Sequence, residues 1–519
     1  MTSTFHGIET SKRSLFTQMA AMNTTGHNIA NANTQGYSRQ SVGMAATRPL
    51  EYPGLYKSTA PGQLGTGVEV SYIKRIRDTF LDDQFRDTNR SLGEWEAQAG
   101  TLSKLEKIFN EPSETSLTTV IDNFWKSWSE LSKDPENVTA RKIVKENALA
   151  MVDAFNEISK KLTDMQQDLT TSLSMNAQNI NTLTKQIADL NRQIYKIEGT
   201  GDNANDLRDQ RDLIVDQLSK LANVTVVEDD IGYRVAMGGM ELVNGENSTD
   251  TTAADWEGAY SGKTLTSGEM FGTIKSRDVI VKDYIDQLDQ LANSIANGEV
   301  EITVPAGSVL PEGTVLNGVT YSGANRTLTQ DLTTTVKGIN GLHQLGYVFG
   351  PPATKGVDIF TSIGGNITAG TIQLNPVIDK DPNQIASTLR VTTGTNGDVA
   401  VKGNNTLALL MSQLKDSKFT FNPIASNNAF TKGTVDDYYR SIMGQLGVES
   451  REAQRQESNN QLLVDQVDSR RQSVSGVSMD EEMANLIKFQ HAYGAASRFM
   501  TTMDQNLDKI INSMGIVGR

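Results

Sequence analysis

The stretch Ser478–Met514 reads SMDEEMANLIKFQHAYGAASRFMTTMDQNLDKIINSM. Counted in sevens from Met479 it returns Leu486, Tyr493, Met500, Leu507 and Met514. Three residues after each of these come Glu482, Phe489, Ala496, Met503 and Ile510, with Met483 beside them. Two such columns are the a/d seam of a helix that needs a partner. Ser478 followed three residues later by Glu481 predicts a capping box at its start. A helix of about 36 residues would be about 54 Å long. Gly494 in mid-seam costs about 1 kcal/mol against alanine and suits a close helix contact.

The other end of the chain carries a weaker copy of this pattern. Ile8, Leu15, Met22 and Ile29 recur by seven over a helix spanning residues 4 to about 31, and Lys12, Met19 and Gly26 are offset by four. Pattern alone leaves two readings open. Either the two ends form a partner-seeking coiled coil, or they are amphipathic helices packed on the rest of the fold. After this helix, NIANANTQGYSRQ (Asn28–Gln40) predicts a helix end and turn. Asn28, Asn31 and Asn33 can bond to their own backbone, and Gly36, just before Tyr37, can take positive φ. Such an amide-rich stop has no evident catalytic use.

The 519 residues are several domains' worth. Aromatic residues are 6% of the chain against 37% hydrophobic, which points to elongated, surface-rich shapes rather than one large globule. A net charge of −14 opposes both nucleic acid and anionic membrane as partners, since either needs Lys and Arg against phosphate. No apolar run of about 18 residues is present to span a bilayer. The N-terminus lacks the basic and apolar regions of a cleaved signal, which predicts a cytoplasmic protein or export without cleavage. Zero cysteines exclude disulfides, thiolate metal sites and cysteine catalysis.

The fold class these patterns predict is mainly α with β insertions, in discontinuous domains. Residues 1–48 plus 477–519 form a terminal coiled-coil domain, and 49–76 a linker with a short strand at Val68–Ile73. Residues 77–223 plus 332–476 form a helical rod domain. Trp125 and Trp128 at i, i+3 are its core anchors. Leu162–Ile197 is a long coiled-coil helix, with Asn176 as a register residue. NDLRDQRD (205–212) begins the returning helix of an αα-hairpin. As a calcium loop this acid-rich stretch fails, because position three from Asp202 is Ala204. It predicts a charged, solvated helix start. From Val224 the period switches to two, giving a β-hairpin segment over 224–278. Residues 298–331 read as an inserted small β subdomain, with helix resuming over Leu332–Leu345. Residues 434–473 are a long polar helix, and Ser473–Ser478 the hinge into the opening stretch.

No nucleotide loop, nucleophile elbow or zincin motif occurs, and His6, His27, His343 and His491 have no metal-ligand spacing. The residues predict no catalytic site, no metal and no cofactor. They describe a building part.

NIANANTQGY (28–37) resembles the N-terminal signature of the flagellar rod, hook and hook-associated axial family. GVSMDEEMANLIKFQHAYGAASRFMTTMDQNLDKII (476–511) resembles that family's C-terminal signature. Within it, SRQ after the turn, DNFWKSWSELSKDPEN (122–137), NDLRDQRD and GLHQLGY (341–347) resemble the member at the hook–filament junction. Residues 298–331 depart from the family pattern, and the outer-domain geometry is left open there.

The resemblance implies a structural protein, not an enzyme. It implies uncleaved type III export in an unfolded state, then assembly outside the cell into a ring-like helical homo-oligomer whose terminal helices form the inner tube. It implies hook protein and hook-associated protein 3 as neighbours, with flagellin beyond, and an export chaperone on the C-terminal helix. The expected interface residues are Ile8, Leu15, Met19, Met22, Asn28, Ile29, Asn31, Asn33, Gly36 and Tyr37 at one end. At the other they are Met479, Met483, Leu486, Phe489, Tyr493, Ala496, Met500, Met503, Leu507, Ile510 and Met514. Alternatives are the hook protein or hook-associated protein 3 itself, a secreted hydrolase on an axial scaffold, and a cytoplasmic coiled-coil scaffold.

Overall fold

A computed structural model of the chain describes residues 5–50, 63–109, 116–350, 352–394, 397–422 and 430–513. Met514 and the part of the expected linker at 51–62 lie outside them. In chain order, helix α1 (His6–Ala30) is followed by β1 (Gln40–Ala46) and β2 (Val68–Arg75). Helices α2 (Thr79–Phe109), α3 (Leu117–Lys133), α4 (Val138–Glu198) and α5 (Asn205–Leu221) come next. The antiparallel sheet β3 (Val224–Asp229), β4 (Gly232–Met237), β5 (Met240–Asn244) and β6 (Asn247–Ser248) leads to α6 (Ala253–Ser261) and α7 (Glu269–Lys275). A π-helical turn, Ser276–Val281, joins α7 to α8 (Lys282–Asn297). Strands β7 (Glu299–Val304), β8 (Thr314–Leu316), β9 (Val319–Tyr321) and β10 (Leu332–Lys337) precede α9 (Gly338–His343) and α10 (Pro376–Lys380). The chain ends with α11 (Thr406–Gln413), α12 (Val435–Ser475) and α13 (Met479–Asp508). The architecture is mainly α with β insertions, as the patterns predict.

The chain divides into two compact units. One is Met1–Glu94, Ser174–Phe271 and Ser458–Arg519; the other is Trp95–Leu173 and Gly272–Glu457.

The second unit holds the large apolar core. In α3, Phe124, Trp125, Trp128 and Leu131 fall on one face and are fully buried. Ser116 caps that helix, its hydroxyl accepting from the Thr119 N–H at 3.4 Å. In α8, Tyr284, Leu288, Leu291 and Ile295 repeat at helical spacing and pack into the same core. Asn340 ties the centre together, with Oδ1 accepting from the backbone N–H groups of Ile359 and Phe360 at 2.9 Å each.

Two expectations are corrected here. Within residues 224–278, read as a β-hairpin segment, only 224–248 is sheet; Ala253–Ser261 and Glu269–Lys275 are helices, the first started by a Thr252–Asp255 capping box. Residues 332–337, read as resumed helix, are the strand β10, paired antiparallel with β7 from Leu332↔Val304 to Lys337↔Glu299. LTTTVK contains four β-branched residues, and pairing with β7 overrides the short helical periodicity. The helix begins only at Gly338, whose φ of +51° makes the corner.

In the first unit, α4 and α5 form the expected αα-hairpin, turning at Gly201 with φ +96°. Ile180, Ile187 and Ile194 repeat by seven along α4 and are buried. Asn176 is half-buried and donates to Glu269 Oε1 at 2.9 Å. Strand β2 covers the expected Val68–Ile73. Its partner β1 went unread, because QSVGMAA has no strict alternation. Gly43 of β1 faces Tyr72, whose ring atoms lie within 2.4–2.7 Å of where a Cβ would stand, so a larger residue there would push the ring aside.

Candidate assembly interface

Helices α1 and α13 lie against each other. A Cβ added at Gly7 would sit 2.5 Å from the Met503 Cε, and Asn28 Nδ2 donates to Glu482 Oε2 at 3.0 Å. Moving up α1 from 7 to 28 therefore moves down α13 from 503 to 482, so the pair is antiparallel. The two ends of the chain do find each other.

What they bury is small. The buried residues of α1 are Ser11, Thr17, Ala21, Thr24, Thr25 and Asn28, and those of α13 are Glu482 and Leu507. Among the expected interface residues, Ile8, Leu15, Met22, Ile29, Leu486, Phe489, Ala496, Met500 and Met503 are half-buried in the pair. Met19, Met479, Met483, Tyr493 and Ile510 face outward. Phe16, which the heptad count did not pick out, is 57% exposed, and Ile487 50%. A Cβ at Gly494 would meet nothing within 4 Å, so the close contact expected there is not made within this chain.

The amide-rich turn is a buried polar joint. Asn28 Oδ1 accepts from the Tyr37 hydroxyl at 2.7 Å and from the Gln40 N–H at 2.9 Å, while Nδ2 serves both the Gln40 carbonyl and Glu482. Burial, with Asp206, Asp209 and Glu482 nearby, raises the Tyr37 hydroxyl above its ordinary range. Asn31 is half-buried and Asn33 exposed; Asn31 Nδ2 donates to the His27 carbonyl. Gly36 takes φ +80°, as its place in the turn predicts, with Leu213 Cβ only 3.1 Å from where its Cβ would be. Arg39 grips the start of α13 through Glu481 at 2.6 Å and Glu482 at 2.7 Å, and its N–H donates to the Ser475 carbonyl. Of the expected capping box only the first half is made, Ser478 Oγ accepting from the Glu481 N–H; the Glu481 carboxylate is turned to Arg39.

Sequence reasoning missed the neighbouring ion cluster. NDLRDQRD was read as solvated, yet Asp209, Arg211, Asp212 and, one turn on, Asp216 are buried. The i, i+3, i+7 spacing sets the three aspartates on one face of α5. Arg75 of β2 bonds Asp209 at 2.7 Å and Asp212 at 2.9 Å, and Arg77 bonds Asp82 at 2.6 Å. Arg86 of α2 reaches Asp216 at 3.1 Å, and Arg471 of α12 takes its other oxygen at 2.5 Å. Arg75, Arg77, Arg86 and Arg471 thus face Asp82, Asp209, Asp212 and Asp216, while Arg211 turns to Glu228 and Asn191. Asp209 also accepts from the Ser38 N–H at 2.8 Å, which joins the cluster to the amide turn. Burial alone would raise the Asp212 carboxyl, but Arg77 and Arg75 outweigh it and hold it below the usual range. Burial pushes the Asp209 and Asp216 carboxyls up despite their arginines. The Tyr233 hydroxyl, buried and donating to Asp212 at 2.6 Å, is pushed up to about 12. The signal was available in the arginines of RIRD (75–78) and the spacing of the aspartates, but no local rule pairs segments 130 residues apart.

Among the described residues no group of three or more His, Asp or Glu side chains could hold a metal ion, and no helix is long and apolar enough to cross a membrane. The geometry is that of an assembly element: a partly closed helix pair, clamped at its base by ionic contacts, with apolar stripes turned outward.

Comparison with known proteins agrees. The chain is 34% identical over its full length, and over all of the relative, to flagellar hook-associated protein 1 of Bacillus subtilis. The chain belongs to the flagellar hook-associated protein 1 family. Flagellar hook-associated protein 1 of Escherichia coli is 26% identical over 95% of this chain and 97% of its own. Family models match in three places: the hook-associated protein FlgK helical domain over 102–299, the basal body rod FlgEFG C-terminal region over 469–514, and the basal body rod protein over 8–37. The hook junction protein FlgK from Burkholderia pseudomallei shares the fold, with a TM-score of 0.51, 16% identity, and coverage of 76% of this chain and all of that one. The protein is thus a structural, axial component of the flagellum that assembles with other axial proteins.

Proposed function

We propose that the chain leaves the cell by the flagellar type III route without a cleaved signal and self-assembles at the hook–filament junction. There it joins hook protein below to hook-associated protein 3 above. Residues 1–48 and 477–519 form its inner-tube domain, and the apolar residues of α1 and α13 bind neighbouring subunits. An export chaperone holds the C-terminal helix beforehand. The observation that carries this reading is the antiparallel α1–α13 pair, which leaves Phe16, Met19, Met483 and Ile487 facing water. Large apolar side chains at such regular spacing serve a partner surface, because each contributes about 1.5–3 kcal/mol when buried. Removing residues 480–519 should leave a folded remainder that no longer joins hook to filament. Wild-type motility in cells carrying only the truncated chain would overturn the proposal.

A further inference from the structure

Strand β3 (Val224–Asp229) is the outermost strand of its four-stranded sheet and pairs with β4 alone. Asp230 and Ile231 make a two-residue turn, so Asp229↔Gly232 closes the hairpin as a hydrogen-bonded pair, and every second pair beyond it is of the same kind. The Gly238 N–H, donating to the Asn223 carbonyl at 3.2 Å, continues that phase past the strand. Thr225, Val227 and Asp229 therefore bond to β4, while Val224, Val226 and Glu228 turn their N–H and C=O groups the other way. Among the described residues none of those outward groups finds a partner. Sheet edges are commonly guarded by lysine, proline or a bulge. VTVVED has no lysine or proline, and its register with β4 runs without a shift.

Val226 and Glu228 also line a groove of about 460 Å³, walled elsewhere by β2, the start of α2 and the turn before α5. Its cations are Lys74, Arg75, Arg77, Arg86 and Arg208. Arg77 is taken by Asp82, and Arg208 by Glu198 and Glu228. Two others keep donors to spare. Arg75 holds both Asp209 and Asp212 with Nη1, and its Nε and Nη2 meet no acceptor among the described residues. Lys74 rests over the Tyr72 ring at 4.7 Å and meets no carboxylate among them. Of the groove's acids, Asp82 and Asp212 are buried against arginines and Asp83 lies 3.7 Å from Arg86, so Lys74 is the charge left uncompensated. An unguarded strand edge beside spare cationic donors suits an extended chain, which brings backbone groups for β3 and a carboxylate for the cations. A lone phosphate would leave the edge unpaired and most of the groove empty. We infer that an acidic, extended segment of another protein adds to this sheet as a fifth strand along Val224, Val226 and Glu228, setting a carboxylate on Lys74 and Arg75.

The test places the photo-cross-linker p-benzoylphenylalanine at Val227, which is 50% exposed and whose backbone bonds only to β4, in the full chain as the only copy in flagellated cells. Whole cultures would be irradiated and blotted for this chain, and the adduct mapped by mass spectrometry. The expected adduct joins a different protein, at a segment containing Asp or Glu. Val226→Pro removes an outward N–H and spares the β4 ladder, since proline is tolerated on an edge strand with its nitrogen outward. It should lower the adduct about tenfold through the lost hydrogen bond. Lys74→Glu, at an exposed side chain outside the buried ion pairs, should lower it about fivefold. Thermal melts of both purified variants check that they fold, and if Val226→Pro does not, Lys74→Glu decides alone. No adduct, an adduct joining two copies of this chain, a segment without Asp or Glu, or an adduct undiminished by Lys74→Glu would each overturn the inference. Each of these outcomes leaves the proposed place at the hook–filament junction standing.

Discussion

Asn28 and Glu482, 454 residues apart, meet at 3.0 Å, and both are buried. Glu482 also accepts from Arg39, so one carboxylate joins α1, the turn after it and the first turn of α13. Removing one partner of a buried charged contact leaves the others unsatisfied. Glu482→Ala should therefore cost about 3 kcal/mol in the unit containing the chain ends, discounted from the upper range because Arg39 retains some water. Hydrogen exchange should show lost protection in α1 and α13 and unchanged protection in α3. Equal loss in both would refute a local role.

Asp212 is the most heavily used acid of the ion cluster, with Arg75 at 2.9 Å, Arg77 at 3.5 Å, Arg86 at 3.8 Å and the Tyr233 hydroxyl at 2.6 Å. Asp212→Asn should destabilise by about 3–5 kcal/mol, since it leaves buried guanidinium groups under-compensated. Asp206, six residues earlier and exposed, accepts from Gln40 Nε2 at 2.7 Å and lies 3.2 Å from His27 Nε2, and Asp206→Asn should stay within about 1 kcal/mol. Urea denaturation of the two variants, read side by side, tests whether burial sets the difference.

His343 gives a pH dependence in the second unit. It is fully buried; Nδ1 lies against the Val357 carbonyl, and Nε2 accepts from the Ala386 N–H at 2.8 Å. This fixes the neutral ring, because a proton on Nε2 would face another N–H. Burial lowers its pKa from 6.5 to about 4. Between those values the unfolded chain binds the proton and the folded chain does not, so stability rises with pH across that window. About 3 kcal/mol should be lost on going from above pH 6.5 to pH 4, at about 1.4 kcal/mol per pKa unit. His343→Leu should cost about 2–3 kcal/mol at neutral pH for the two orphaned backbone groups, and should flatten that slope in thermal melts. An unchanged slope would assign it to other groups.

The two glycines of the terminal segments should respond oppositely. Gly36→Ala forces a side chain into positive φ against Leu213 and should cost about 1–2 kcal/mol. Gly494→Ala meets open space in the middle of α13 and should stabilise the isolated chain by up to about 1 kcal/mol. Differential scanning calorimetry would show the two shifts, and a destabilised Gly494→Ala would mean that a neighbour in the chain approaches more closely than 4 Å.

Much of this protein follows from its residues in isolation. Heptad spacing in Met479–Ile510, the αL-tolerant turn at Gly36, and the buried faces of α3 and α8 are local periodicities, and a helix must bury its apolar side wherever it packs. Those rules fixed helix positions, the mainly α class and the family resemblance. The opening stretch, however, left its own surroundings open. Which seam residues turn inward depended on α1 presenting Ser11, Thr17 and Ala21 rather than leucines, so that Met483 and Ile487 stayed in water. Local spacing likewise could not show that β10 would pair with β7, or that NDLRDQRD would be buried against Arg75, Arg86 and Arg471. Strand pairing and buried ion pairs join residues far apart in the chain, and their energy depends on a desolvated geometry that exists only once the fold has closed.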